Sequence, residues 1–135
     1  RHPLAVLYNQ QSVLENHHIA SAMALTARPE LDWLSPLPAA EQAELRKAMI
    51  ELVLATDVTT HIPFMKRFAE DVAAKQMSAT QAMTVILKAS DISNPTRPLP
   101  IYAAWVEGIM REFFAQGDAE KALGLPVSMN CDRES

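Results

Sequence analysis

Glycine is scarce here, with 3 in 135 residues against 7 methionines and an apolar fraction of 49%. An all-β fold needs turn residues at each strand connection, so a chain this poor in glycine is expected to be helical. Cysteine is scarcer still. The lone Cys131 excludes an internal disulfide and, with no activating base near it in sequence, argues against a nucleophilic thiol. No apolar run approaches the roughly 20 residues a membrane span requires. The opening Arg1-His2-Pro3-Leu4 has no secretory n-region and h-region, so a reducing, cytoplasmic-type compartment is expected. Basic stripes are missing too. The net charge is −4, and Arg28, Arg46, Lys47, Lys66, Arg67 and Arg111 are scattered, which excludes a nucleic acid polymer as partner. With 21% charged residues and no repeat or low-complexity tract, the composition is that of one soluble domain. There is no initiator Met and no tapering tail, so a piece of a longer protein is expected.

What is present is helical patterning. Ser12-Val13-Leu14-Glu15 has the form of a capping box and predicts a helix from Ser12 to near Ala27, before Pro29. The stretch from Pro29 to Pro38 reads as a loop. A second helix follows, on which Leu45, Ala48, Met49, Leu52, Val53 and Thr56 fall on one face and predict a core stripe. Asp57, the β-branched run Val58-Thr59-Thr60 and Pro63 break it, and a more polar surface helix is expected from Phe64 to Gln76. Ser78-Ala79-Thr80-Gln81 is a second capping box. The helix it opens is apolar on nearly every side and is expected to be buried, offering solvent little more than Thr80, Gln81, Thr84 and Lys88. After Asn94-Pro95 and Arg97-Pro98, the residues Tyr102, Trp105, Val106, Ile109, Met110 and Phe113 predict a last helix, ended by Gly117 or Gly124.

Several residues could carry chemistry, each with a plain structural role beside the functional one. Asp91 closes the apolar helix with a negative charge at the wrong end of the helix dipole, so it is either a ligand or the head of an Asx turn into Ser93-Asn94-Pro95. Glu15 is either half of a capping box or, with His18 on the same face, a Glu-x-x-His pair. The Thr56 hydroxyl either points at a site or bonds back to the Leu52 carbonyl. Asp57 and His61, four residues apart, either share a metal or, as the simpler reading, form an ion pair with each other. Tyr102 and Trp105 are core aromatics or pocket walls, each needing a partner for its polar edge.

Taken in order, the blocks Ser12-Val13-Leu14-Glu15-Asn16-His17-His18, Met49-Ile50-Glu51-Leu52-Val53-Leu54-Ala55-Thr56-Asp57 and Ala89-Ser90-Asp91-Ile92-Ser93-Asn94-Pro95 resemble the class I 3′,5′-cyclic nucleotide phosphodiesterases. So do Glu112-Phe113-Phe114-Ala115-Gln116-Gly117-Asp118, Leu123-Gly124-Leu125-Pro126-Val127-Ser128 and Cys131-Asp132-Arg133. The resemblance implies an all-α, multi-helix phosphodiesterase catalytic-domain (HD-like) fold, present in part across residues 1–135. It implies hydrolysis of cAMP or cGMP to the 5′-monophosphate by a hydroxide activated between zinc and magnesium (or manganese). Asp91 matches the zinc-ligating aspartate, and Glu15 and Thr56 match residues that hold metal-bound water. Asn94, Tyr102 and Trp105 match positions lining the nucleotide pocket. The family's His-Asn-x-x-His block and His-Asp pair, with the general acid and most ligands, would precede Arg1. The purine-binding glutamine would follow Ser135. Ser128-Met129-Asn130-Cys131 departs from the usual Ser-Pro-Met-Cys. The resemblance is compatible with oligomerisation of the parent protein. A carboxylate-bridged di-iron bundle, which needs two Glu-x-x-His pairs, and a non-enzymatic helical interaction module are the alternatives.

Overall fold

The computed structural model describes residues 2–134, and among these every regular element is helical. The α-helices are α1 (Pro3–Leu7), α2 (Val13–Thr26), α3 (Ala39–Leu54), α4 (His61–Ala73), α5 (Ala79–Asp91) and α6 (Leu99–Ala122), with short 3₁₀ turns at Pro29–Leu31, Val58–Thr60 and Asn94–Thr96. No helix is long and apolar enough to cross a membrane. The chain divides into two compact units between Asp91 and Ile92.

In the first unit α2 packs on α3 and α3 on α5. The stripe predicted on α3 is the covered one: Leu45, Ala48, Met49, Leu52, Val53 and Thr56 are all half-buried, while Glu44, Lys47, Ile50 and Glu51 are exposed. Pro63 does not break α4, because it lies in the first turn, where a missing N–H costs nothing. That helix starts at His61, earlier than Phe64, and buries none of its residues, as expected of a surface helix.

Two expectations for this unit are corrected. The Ser12–Glu15 capping box does not form: Ser12 adopts a left-handed conformation at φ 39° and its side chain makes no cap bond. The Ser78–Gln81 box does form, the Ser78 N–H donating to Gln81 Oε1 at 2.9 Å and the Gln81 N–H to Ser78 Oγ at 3.2 Å. Further along, α5 is not buried all round. Its fully covered residues are Thr84 and Lys88, while Met83 and Ile86 face solvent. Lys88 can turn inward because its Nζ finds the Ala55 carbonyl at 2.6 Å, while the Thr84 hydroxyl is satisfied within its own helix by the Thr80 carbonyl at 2.8 Å.

The second unit is the 3₁₀ turn Asn94–Thr96, α6 and the segment that follows it. Gly124, at φ +68°, ends the helix: its N–H donates to the Lys121 carbonyl and that of Leu125 to the Glu120 carbonyl, the two bonds of a Schellman motif. Gly117 instead lies within the helix, buried against Cys131. The predicted α6 stripe splits. Tyr102, Val106, Met110 and Phe113 are half-buried, whereas Trp105 and Ile109 are exposed.

Candidate functional site

The site residues of the first unit sit on three packed elements: Glu15 in the first turn of α2, Thr56 just beyond the C-cap of α3, and Asp91 as the last residue of α5. Asp91 is exposed, and its carboxylate has no hydrogen bond or ion pair among the described residues. The Asx turn is therefore not made. Water therefore solvates the carboxylate, so the burial cost that singles it out from sequence does not apply, and only a weak opposition from the helix dipole remains. Glu15 is half-buried and equally free of partners, so the capping explanation for it falls away. Thr56 follows its structural alternative in kind but not in partner, since Oγ1 donates to the Val53 carbonyl at 2.7 Å rather than to that of Leu52.

What the fold does bring together is a buried polar junction beside Thr56. Asp57 is 8% exposed and does not pair with His61. Its Oδ2 accepts the Ser12 hydroxyl at 2.7 Å, and its Oδ1 accepts the Thr59 N–H at 2.8 Å and the Thr59 hydroxyl at 2.7 Å. The Ser12 hydroxyl first, and then the two Thr59 donors, hold the Asp57 carboxyl below its ordinary range; Lys88 adds a weaker attraction. Lys88 Nζ also lies 5.6 Å from the centroid of the Phe64 ring. Sequence reasoning missed this junction. The available signal was Lys88 itself, a charge in an apolar helix that helix patterning alone assigns to solvent.

In the second unit Asn94 belongs to the 3₁₀ turn before α6, and its Oδ1 is buried with no hydrogen-bond partner among the described residues. Such an orphaned acceptor is uncommon and marks a place where a donor is missing. Tyr102 is half-buried and Trp105 is 63% exposed, and neither polar edge has a partner among the described residues. The segment after α6 is tied down by side chains: Glu120 accepts the Ser128 N–H and hydroxyl, Arg133 pairs with Asp118 at 2.8 Å, and Lys121 with Asp132 at 2.7 Å. Those partners hold the Asp118, Glu120 and Asp132 carboxyls low. Burial pushes the Cys131 thiol up, which makes it inert rather than nucleophilic.

A model of the 3′5′-cyclic nucleotide phosphodiesterase family matches residues 1–135. The chain belongs to that family. Among relatives, it is 41% identical over 132 residues to a probable 3′,5′-cyclic phosphodiesterase of Caenorhabditis elegans, covering 97% of this chain and 20% of that protein. It is 42% identical over 132 residues to a mouse (Mus musculus) dual specificity calcium/calmodulin-dependent 3′,5′-cyclic nucleotide phosphodiesterase 1B, covering 97% of this chain and 25% of that protein. It is 37% identical over 142 residues to a probable 3′,5′-cyclic-AMP phosphodiesterase of Caenorhabditis elegans, covering 96% of this chain and 21% of that protein. The chain thus spans a fifth to a quarter of the length of these relatives.

The residues present do not compose a metal centre. Among the described residues no three His, Cys, Asp or Glu side chains are grouped to hold an ion, and a zinc site takes at least three protein ligands. Asp91 fits the part of a single donor. The di-iron alternative gains nothing either: Glu15 and His18 remain one pair, and His18 is exposed.

Proposed function

We propose that this chain is part of a catalytic domain that hydrolyses 3′,5′-cyclic nucleotides, cAMP or cGMP, to 5′-monophosphates. The observation that carries the reading is the family match across residues 1–135, in which every block containing a candidate site residue falls. Zinc and magnesium or manganese belong to the proposal, and when bound such ions supply activation of the attacking water and neutralisation of phosphoryl charge. Asp91 would contribute one carboxylate donor, supported by its exposure and its freedom from protein partners. Glu15 and Thr56 would orient water, Glu15 through an acceptor that no protein group occupies. Asn94 would bind the nucleotide through its unpaired Oδ1, and Tyr102 and Trp105 would lie along the base, the exposed Trp105 ring offering a stacking face.

The test is direct. The complete protein containing this chain, supplied with zinc and magnesium, is incubated with cAMP and with cGMP, and products are resolved by chromatography. The 5′-monophosphate should appear from at least one substrate. Quantitative recovery of both cyclic nucleotides would refute the proposal.

A further inference from the structure

The loop between α2 and α3 holds an accessible hydroxyl that neither the fold nor the proposed activity uses. Of the 9 prolines in the chain, a single one follows a hydroxyl-bearing residue: Pro36, after Ser35. Both residues are exposed. The Ser35 hydroxyl has one contact among the described residues, with the Asp32 carbonyl at 3.5 Å, too long for an effective O–H bond. Exposed hydroxyls elsewhere are held more closely: Ser90 at the Ile86 carbonyl (2.8 Å), Thr96 at the Ser93 carbonyl (2.7 Å) and Ser128 at Glu120 (2.7 Å).

The backbone around Ser35 is loosely tied. One backbone bond, from the Leu37 N–H to the Leu34 carbonyl (3.0 Å), closes the turn over Ser35 and Pro36. Pro36 and Pro38 have no N–H to give, and a residue before proline is steered towards extended backbone. A serine followed by proline in an exposed loop is the form in which proline-directed protein kinases take their acceptor. What holds this loop is Asp32, whose Oδ1 accepts the Leu34 N–H at 3.1 Å and the Ser35 N–H at 2.9 Å. Leu34, the residue before Ser35, is fully buried and anchors the segment.

We propose that Ser35 is a phosphorylation site for a proline-directed serine/threonine kinase using ATP, and that the phosphate opens this loop. In the step, Ser35 Oγ attacks the γ-phosphorus of ATP, the bond from that phosphorus to the departing oxygen of ADP breaks, and the hydroxyl proton passes to the kinase's aspartate. The product carries about 1.5 to 2 negative charges on a side chain whose own N–H is bonded to a carboxylate. Like-charge repulsion then weakens both bonds to Asp32 Oδ1, and with them the seating of Leu34.

The experiment uses the complete protein and the variants Pro36→Ala and Asp32→Asn, each incubated with ATP and a purified mitogen-activated protein kinase whose activity is verified on a control substrate. Phosphate is located by mass spectrometry, and amide hydrogen exchange is followed in peptides covering residues 29–38. The wild type should carry phosphate at Ser35, and Pro36→Ala, which keeps the hydroxyl but not the proline, should lose it. Phosphorylation should speed exchange of the segment about tenfold in the wild type, the scale of repulsion between charges at contact distance near a protein surface. The change should be smaller in Asp32→Asn, which keeps an acceptor oxygen without the charge. An unmodified Ser35 under conditions that label the control would overturn the proposal, as would labelling that persists in Pro36→Ala. Phosphorylation that leaves exchange unchanged, or speeds it equally in Asp32→Asn, would overturn the opening of the loop.

Discussion

Gly117 and Cys131 meet so closely that a Cβ on Gly117 would stand 1.9 Å from the Cys131 carbonyl oxygen. The chain after α6 folds back into a notch that only glycine leaves open. In an ordinary helix interior Gly→Ala is stabilising by roughly 1 kcal/mol. Here the obstructing atom is backbone, which cannot swing aside as a side chain can.

Gly117→Ala should therefore destabilise the protein, by about 1–3 kcal/mol, the usual cost of overpacking. Gly108, where an added Cβ would meet nothing within 4 Å, is the control: Gly108→Ala should be neutral or stabilising. Chemical denaturation of both variants checks the pair, and equal effects would contradict the notch.

A second expectation concerns acid. The Asp57 carboxyl lies below its ordinary 3.8 because Ser12 and Thr59 donate to its ionised form. A carboxyl whose folded value is depressed contributes stability that is present above the ordinary value and is lost as pH falls through the lowered one. The stability gap between the wild type and Asp57→Asn should thus be constant from about pH 7 to pH 5 and shrink as the pH falls below 3.8. Urea midpoints across that range measure it. A gap that widens in acid would show that Asp57 is not held in its charged form.

The helix starts show how much was legible. Ser78 and Gln81 form the capping box their spacing announces, because both partners are local. Ser12 and Glu15 carry the same pattern and do not, because Asp57, distant in sequence, takes the hydroxyl. Five of the six α-helices and the covered face of α3 were readable from local pattern, as was a glycine stop for α6 at Gly117 or Gly124; α1 was not. The inward turn of Lys88 was not: hydropathy ranks lysine as solvent-facing, and the Ala55 carbonyl that satisfies it is specified only by the packing of α3 on α5. For the site, sequence supplied candidate residues only. It did not reveal that Asp91 is exposed or that Asn94 Oδ1 is left unpaired.

Glu15→Gln separates a structural from a chemical role. Since Glu15 makes no cap bond, replacing its charge removes only its attraction to the helix N-terminus, about 0.3–1 kcal/mol, and should lower the melting temperature by no more than about 4 °C. In the complete protein, turnover should fall about tenfold or more, as it does when groups orienting metal-bound water are lost. Calorimetry and kinetics on one preparation check this. A larger fall in melting temperature with unchanged turnover would return Glu15 to a structural role.

Residues 1–135 expressed alone should self-associate. Apolar residues with little cover include Val58 at 81% exposure, Ile62, Ile86 and Ile92, while the buried apolar residues among those described are Ile19, Leu34 and Cys131. Exposed apolar surface on this scale marks surfaces that dock on other protein. Sedimentation velocity should show species heavier than the 14.9 kDa monomer. A monodisperse monomer at high concentration would contradict it.

The most direct test of the account is Asp91→Asn in the complete protein, with cyclic nucleotide hydrolysis and bound zinc measured on the same sample. Asparagine keeps the size and the helix end but removes the charge that a cation would need. Turnover should fall by more than about 100-fold, the upper end of what substituting groups behind metal ligands costs, with zinc content reduced and helix content unchanged. Wild-type turnover with a full complement of zinc would contradict the central claim.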